Sequence, residues 1–137
     1  MNTSLKLIEA SIWITFFKSN CPEEILCLVK NLILKKEAIV TAPILLEILR
    51  GAKDKREYQS LWERLSALDI LPVTDEVWQY SYSLSFALKT KGITIPSIDT
   101  LIASIALVHN CTLLHKDKHF EMIKEIAPLK TIFFKDE

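Results

Sequence analysis

Apolar residues along the chain fall into two kinds of run. Five short blocks read as buried strands: LKLIE at 5–9, AIVT at 38–41, ILPV at 70–73, TLLH at 112–115 and KTIFF at 130–134. Between them lie longer stretches with helical spacing. SIWITFFK at 11–18 predicts a short helix. Pro22 opens a second over PEEILCLVKNLILKK, with Glu23 and Glu24 in the first turn where the helix dipole favours acids. Pro43 opens PILLEILRG, with Gly51 expected at the left-handed position beyond its end. A charged helix follows from about 55 to 68, with Tyr58, Leu61, Trp62, Leu65 and Leu68 on one face. DEVWQYSYSLSFALKTKG at 75–92 is a helix ended by Gly92. A nearly all-apolar helix follows Pro96, capped by Ser97 or Asp99, and KHFEMIKEI at 118–126 predicts one more.

Strand and helix therefore alternate, with no linker, repeat or low-complexity segment. That pattern predicts one α/β domain over residues 1–137, a parallel sheet with helices on both faces. In such folds the functional crevice lies at the carboxyl ends of the strands.

Composition narrows the function. Of 137 residues half are apolar, and mean hydropathy is +0.22. A domain this size has apolar surface to spare, so a dimer or a protein partner is expected. The 17 basic and 17 acidic residues cancel, so nucleic-acid binding has to come from local patches. Cys21, Cys27 and Cys111 form no metal or redox spacing and read as ordinary buried thiols in a reducing cytoplasm. With only two glycines, a Gly-rich phosphate loop is excluded. LKLIEASIWITFF is thirteen residues long and interrupted by Glu9, too short for a membrane span.

Four acids sit where an unpartnered carboxylate is costly. Glu9 ends the first strand, Glu47 interrupts PILLEILR, Asp99 stands near the mouth of the apolar helix, and Asp117 follows the fourth strand. Each has a bland reading. Asp99 serves as a helix cap or a first-turn acid favoured by the dipole, Asp117 as a helix cap, Glu47 pairs with Arg50, and Glu9 is an exposed strand end. Together they would repel one another, and a divalent cation with oxygen preference, Mg²⁺ or Mn²⁺, resolves that repulsion.

Four stretches then resemble, in order, the motifs of the PIN-domain family, and most closely its VapC-type toxins of bacterial toxin–antitoxin pairs. LIEASIWITFF resembles the opening strand and turn, and APILLEILRG the second acidic motif. KGITIPSIDTLIASIAL resembles the third and LLHKDKHFEMI the fourth. The resemblance implies a five-stranded parallel sheet with helices on both faces and a Mg²⁺- or Mn²⁺-dependent endoribonuclease site. It places the catalytic acids on Glu9, Glu47, Asp99 and Asp117. Glu9, Asp99 and Asp117 would ligate the metal, and Glu47 would act through water. Ser11 matches the hydroxyl that accompanies the first acid. His115, where the family often has Thr, supports the site or packs at the strand end. The implied substrate is structured RNA such as transfer RNA, and the implied partners are a small antitoxin and a second copy of the chain.

Arg50, Lys53, Lys116 and Lys118 are candidates for holding RNA phosphates. Trp13, Phe16, Phe17, Trp62, Trp78 and Phe86 lie at helical spacings and are assigned to core or dimer interface, while His119 and Phe120 are expected to seat the last helix, with a metal role for His119 as the lesser reading. At the first motif the chain has Glu9 where the family has Asp. The extra methylene lengthens the reach by about 1.5 Å, so either the site accommodates it or its activity is weakened or lost. Two other readings use part of the same pattern: a PIN fold that binds RNA or protein without cutting, and a receiver-like regulator with acids at strand ends.

Overall fold

The computed structural model describes residues 4–135 and contains five strands and seven helices among them. The strands are β1 (Lys6–Ile8), β2 (Ala38–Thr41), β3 (Asp69–Leu71), β4 (Thr112–His115) and β5 (Thr131–Phe133). The helices are α1 (Ala10–Phe16), α2 (Glu23–Leu34), α3 (Ala42–Arg50), α4 (Lys55–Leu65), α5 (Asp75–Thr90), α6 (Ser97–Val108) and α7 (Lys118–Ile123). All strand pairs are parallel, in the order β3-β2-β1-β4-β5. This is the doubly wound arrangement that the alternation predicts.

Leu7 of the central strand pairs with Ile39 on one side and Leu113 on the other, and all three are essentially sealed from solvent. Each such side chain contributes about 1.5–3 kcal/mol through removal of apolar area from water. Helix α6 is buried from Asp99 to Ala106, which explains its almost unbroken apolar sequence. The fold's position for a crevice follows from the winding. The chain runs outward from β1 to β2 and β3, then returns to β4 and β5 on the other side. Strand order thus reverses between β1 and β4, and ligands bind at such a point beyond the carboxyl ends of the strands. There the Glu9 N–H donates to the Leu114 carbonyl at 2.9 Å.

Several local expectations are corrected. Gly51 is the C-cap of α3 at φ −84°, in the right-handed region rather than the left-handed one. Gly92 does adopt φ +77°, and Gly92 and Ile93 donate to the Lys89 and Leu88 carbonyls, closing α5 with a double-bonded left-handed turn. Helix α6 is preceded by Pro96 without a side-chain cap, so Asp99 is a first-turn acid and neither it nor Ser97 is the N-cap. Of the cysteines only Cys111 is buried, its thiol pushed up to about 11 by burial; Cys21 is half-buried and Cys27 exposed. Trp13 is core, whereas Trp62, Trp78 and Phe86 are exposed.

Candidate metal centre

Each of the four acids is delivered by a different element. Glu9 stands between β1 and α1 as the N-cap of α1, and one of its oxygens accepts both the Ser11 N–H, at 3.1 Å, and the Ser11 hydroxyl. Far from an exposed strand end, it is 8% exposed. The extra methylene is taken up as the side chain folds back over Ser11. Glu47 lies inside α3, and its Oε1 is buried without a hydrogen-bond partner. No ion pair with Arg50 forms, although the Arg50 charge still favours the ionised acid. Asp99 is in the first turn of α6, also 8% exposed. Asp117 is the N-cap of α7 and accepts the His119 N–H at 2.9 Å.

Electrostatics ties these groups into one site. Burial raises the Glu9 carboxyl above its ordinary range, the Ser11 bonds oppose that, and the charges of Glu47 and Asp99 add to it. Glu47 is raised by burial and then by Asp99. Asp99 is raised by burial and then by Asp117, with His119 pulling the other way. A cluster of this kind holds protons or a cation.

One ion could be reached by Asp99, Asp117 and His119, which offer ligand atoms all within 4.8 Å of one another. His119 Nδ1 is 3.2 Å from Asp117 Oδ1 and 3.6 Å from Asp99 Oδ2. The sequence favours a packing role for His119 over a metal role. The sequence signal was its place two residues after a capping acid, because side chains in a first turn point back toward the helix start. Glu9 and Glu47 stand outside that trio and feel the Asp99 charge.

His115 is fully buried, stacked on Phe133 with ring centroids 4.9 Å apart. Its Nδ1 accepts the Asp117 N–H at 3.1 Å, so Nε2 carries the proton and donates to Glu121 Oε2 at 2.7 Å. Burial holds the imidazole below its ordinary range, although Glu121 favours the charged form. Despite its own desolvation, Glu121 is held low by hydrogen bonds from Thr131, Lys124 and His115.

The basic candidates separate. Lys116 and Lys118, with Lys18 and Lys135, line a cleft of about 890 Å³ that also contains Glu9 and Asp117. Lys53 lines an adjoining cleft with Arg56 and Arg64, and the two clefts share Ile14 and Lys18. Arg50 is exposed at the end of α3 and lines neither. Lys18, Arg56 and Lys135 lay outside the sequence motifs, and only the fold brings them here.

Comparison with known proteins agrees with this architecture. The PIN domain family matches residues 6–126. VapC ribonuclease Mb1587 of Mycobacterium bovis is 31% identical over 134 residues, covering 94% of this chain and 98% of its own. Ribonuclease VapC1 of Methanocaldococcus jannaschii is 30% identical over 124 residues, covering 88% and 82%. Among solved structures, VapBC2 from Rickettsia felis bound to a DNA fragment from their promoter superposes with a TM-score of 0.81 at 24% identity, covering 96% of this chain and 99% of that one. The chain belongs to the PIN-domain family, alongside the VapC proteins it matches over nearly its whole length.

Proposed function

We propose that this protein is a Mg²⁺- or Mn²⁺-dependent endoribonuclease, the toxin of a toxin–antitoxin pair, acting on structured RNA such as transfer RNA in the cytoplasm. The observation that carries the reading is the convergence of Glu9, Glu47, Asp99 and Asp117 at the point where strand order reverses, each of the first three raised by burial and by a neighbouring acid. The curated relatives are named as ribonucleases.

The residues present fit a divalent cation. Glu47 Oε1 is buried without a hydrogen-bond partner, His119 Nδ1 is sealed from solvent between two carboxylates, and the trio around His119 is within one ion's reach. Asp99 and Asp117 would hold the ion, with Glu9 directly or through water. When bound, such a cation lowers the pKa of a water and steadies charge on a phosphate. The chain's own residues do the rest. Ser11 fixes the Glu9 carboxylate. Glu47 would ligate the ion through water or orient the attacking water. His115 braces the backbone under Asp117. Lys116 and Lys118 stand beside the acids as point charges for phosphates, and the shared wall at Lys18 extends that track toward Lys53.

Partners follow from the apolar surplus. A groove of about 720 Å³ between α1, α2 and α4 is lined by Trp13, Phe16, Phe17, Leu26, Ile33 and Leu68 and rimmed by Lys30, Lys36 and Arg64. Its shape and rim suit an amphipathic, acidic antitoxin segment. The structural neighbours include VapBC complexes from Salmonella typhimurium and nontypeable Haemophilus influenzae. A second apolar stripe, Trp78, Tyr82 and Phe86 along α5, is assigned to a second copy of the chain. No helix among the described residues is long and apolar enough to cross a membrane.

The test is cleavage of a transfer-RNA pool by the purified protein. Cutting in Mg²⁺ or Mn²⁺ that stops in EDTA supports the reading. RNA bound but uncut under every metal condition would replace it with a non-cutting PIN fold.

A further inference from the structure

We propose that Nδ1 of His119 is itself a ligand of the cation, so that this centre offers a nitrogen beside the oxygens of Asp99 and Asp117. The inference rests on the metal-centre reading above and deepens it. Three observations lead there. First, His119 Nδ1 is sealed from solvent and faces two carboxylates at once, those of Asp99 and Asp117. Second, its separations of 3.2 and 3.6 Å from the carboxylate oxygens are close to the edge of a coordination octahedron. Ligands at about 2.1 Å from one ion stand about 3 Å apart when adjacent. Third, the backbone N–H of His119 donates to Asp117 Oδ1 at 2.9 Å, which holds that carboxylate over the turn that carries the imidazole. The six-residue helix α7 therefore presents acid and imidazole as one unit.

The other two histidines are committed elsewhere. Both His115 nitrogens are engaged, one by the Asp117 N–H and one by Glu121. His109 caps the far end of α6 and its Nε2 lies 3.0 Å from the Pro72 carbonyl. A nitrogen ligand has a chemical consequence. Imidazole favours transition metals, whereas Mg²⁺ takes oxygen almost exclusively. The centre should therefore prefer Mn²⁺ over Mg²⁺, and the preference should depend on His119.

Pulsed electron paramagnetic resonance of the Mn²⁺-loaded protein tests this without any activity assay. The wild type should show the coupling of a directly bonded imidazole ¹⁴N, replaced by a ¹⁵N signal when histidine is isotopically labelled. His119→Gln should lose the signal, bind Mn²⁺ at least about tenfold more weakly and lose most of its discrimination against Mg²⁺. If His119→Gln fails to fold, the labelled wild type alone decides, because both His115 nitrogens are engaged and His109 stands at the opposite end of α6 from Asp99. Mn²⁺ bound with no nitrogen coupling overturns the His119 ligand and leaves the carboxylate centre standing. Failure of the wild type to bind Mn²⁺ overturns both.

Discussion

The backbone N–H of Asp117 donates to Nδ1 of His115 across 3.1 Å, and this one bond sets both the tautomer of a buried ring and the position of an acid at the crevice. It links a strand end to the loop that carries Asp117. The opposite nitrogen reaches Glu121, which Thr131 also binds at 2.7 Å, so the brace extends to β5.

His115→Phe keeps the ring's volume and its stacking on Phe133 but removes both nitrogens. The Asp117 N–H and Glu121 then lose a partner. We expect a loss of about 1–3 kcal/mol in urea unfolding. Mn²⁺ affinity should fall as well, because Asp117 is no longer braced. Unchanged stability and unchanged Mn²⁺ binding would show the brace to be dispensable.

Asp99→Asn should stabilise the metal-free protein, and increasingly so as pH rises. Glu9, Glu47 and Asp99 all hold protons more tightly folded than unfolded, chiefly through burial. Their contribution is complete below the ordinary carboxylate range, about pH 4, and is lost as pH rises through their raised values. His115 works in the opposite sense, since its lowered value supplies stability above its ordinary range that is lost on acidification. Comparing Asp99→Asn with the parent cancels the histidine. The gap between their unfolding free energies should widen from pH 4 to pH 7 in EDTA and shrink or reverse when Mn²⁺ is added. A gap that stays constant across that range would contradict the repulsion on which the site rests.

Glu9→Asp tests the extra methylene. An aspartate is a favoured N-cap, so the bond to the Ser11 N–H should survive. If the longer side chain now places the carboxylate imperfectly, Asp should bind Mn²⁺ more tightly and cut RNA faster. Misplacements near 1 Å cost on the order of 10²-fold in rate, so a gel assay suffices. Parent-like behaviour in both measurements would mean that folding back over Ser11 already puts Glu9 where the chemistry needs it.

Leu26→Glu places a charge on the half-buried wall of the groove between α1, α2 and α4, away from the acids. RNA cleavage by the purified variant should match the parent. Protection of cells by the co-expressed antitoxin should be lost, with affinity at least about tenfold weaker. Full protection with Leu26→Glu would move the antitoxin off this groove.

Much of the architecture could be read directly, because short apolar blocks alternating with helical periodicity leave few folds to choose from. The acids were legible for a related reason: a carboxylate inside PILLEILR or PSIDTLIASIAL stands out against its neighbours. What failed was local or long-range. Gly51 and Gly92 look alike in sequence, yet only Gly92 takes a left-handed conformation. Helix α6 is capped by no side chain, despite a Ser and an Asp within its first turn. Lys18, Lys135 and Arg56 reach the clefts only through the packing of elements distant in sequence. For His119 the sequence favours packing over metal binding, because DKHF reads as a packing motif; its place beside the acids depends on Asp117 capping α7 and on Asp99 arriving from α6.

The central claim is that these acids form a divalent-cation centre, and calorimetric titration with Mn²⁺ tests it most directly. The wild type should bind Mn²⁺, and Asp99→Asn, folded and at least as stable in EDTA, should bind at least about tenfold more weakly. Equal binding by the two proteins, or none by either, would contradict the account.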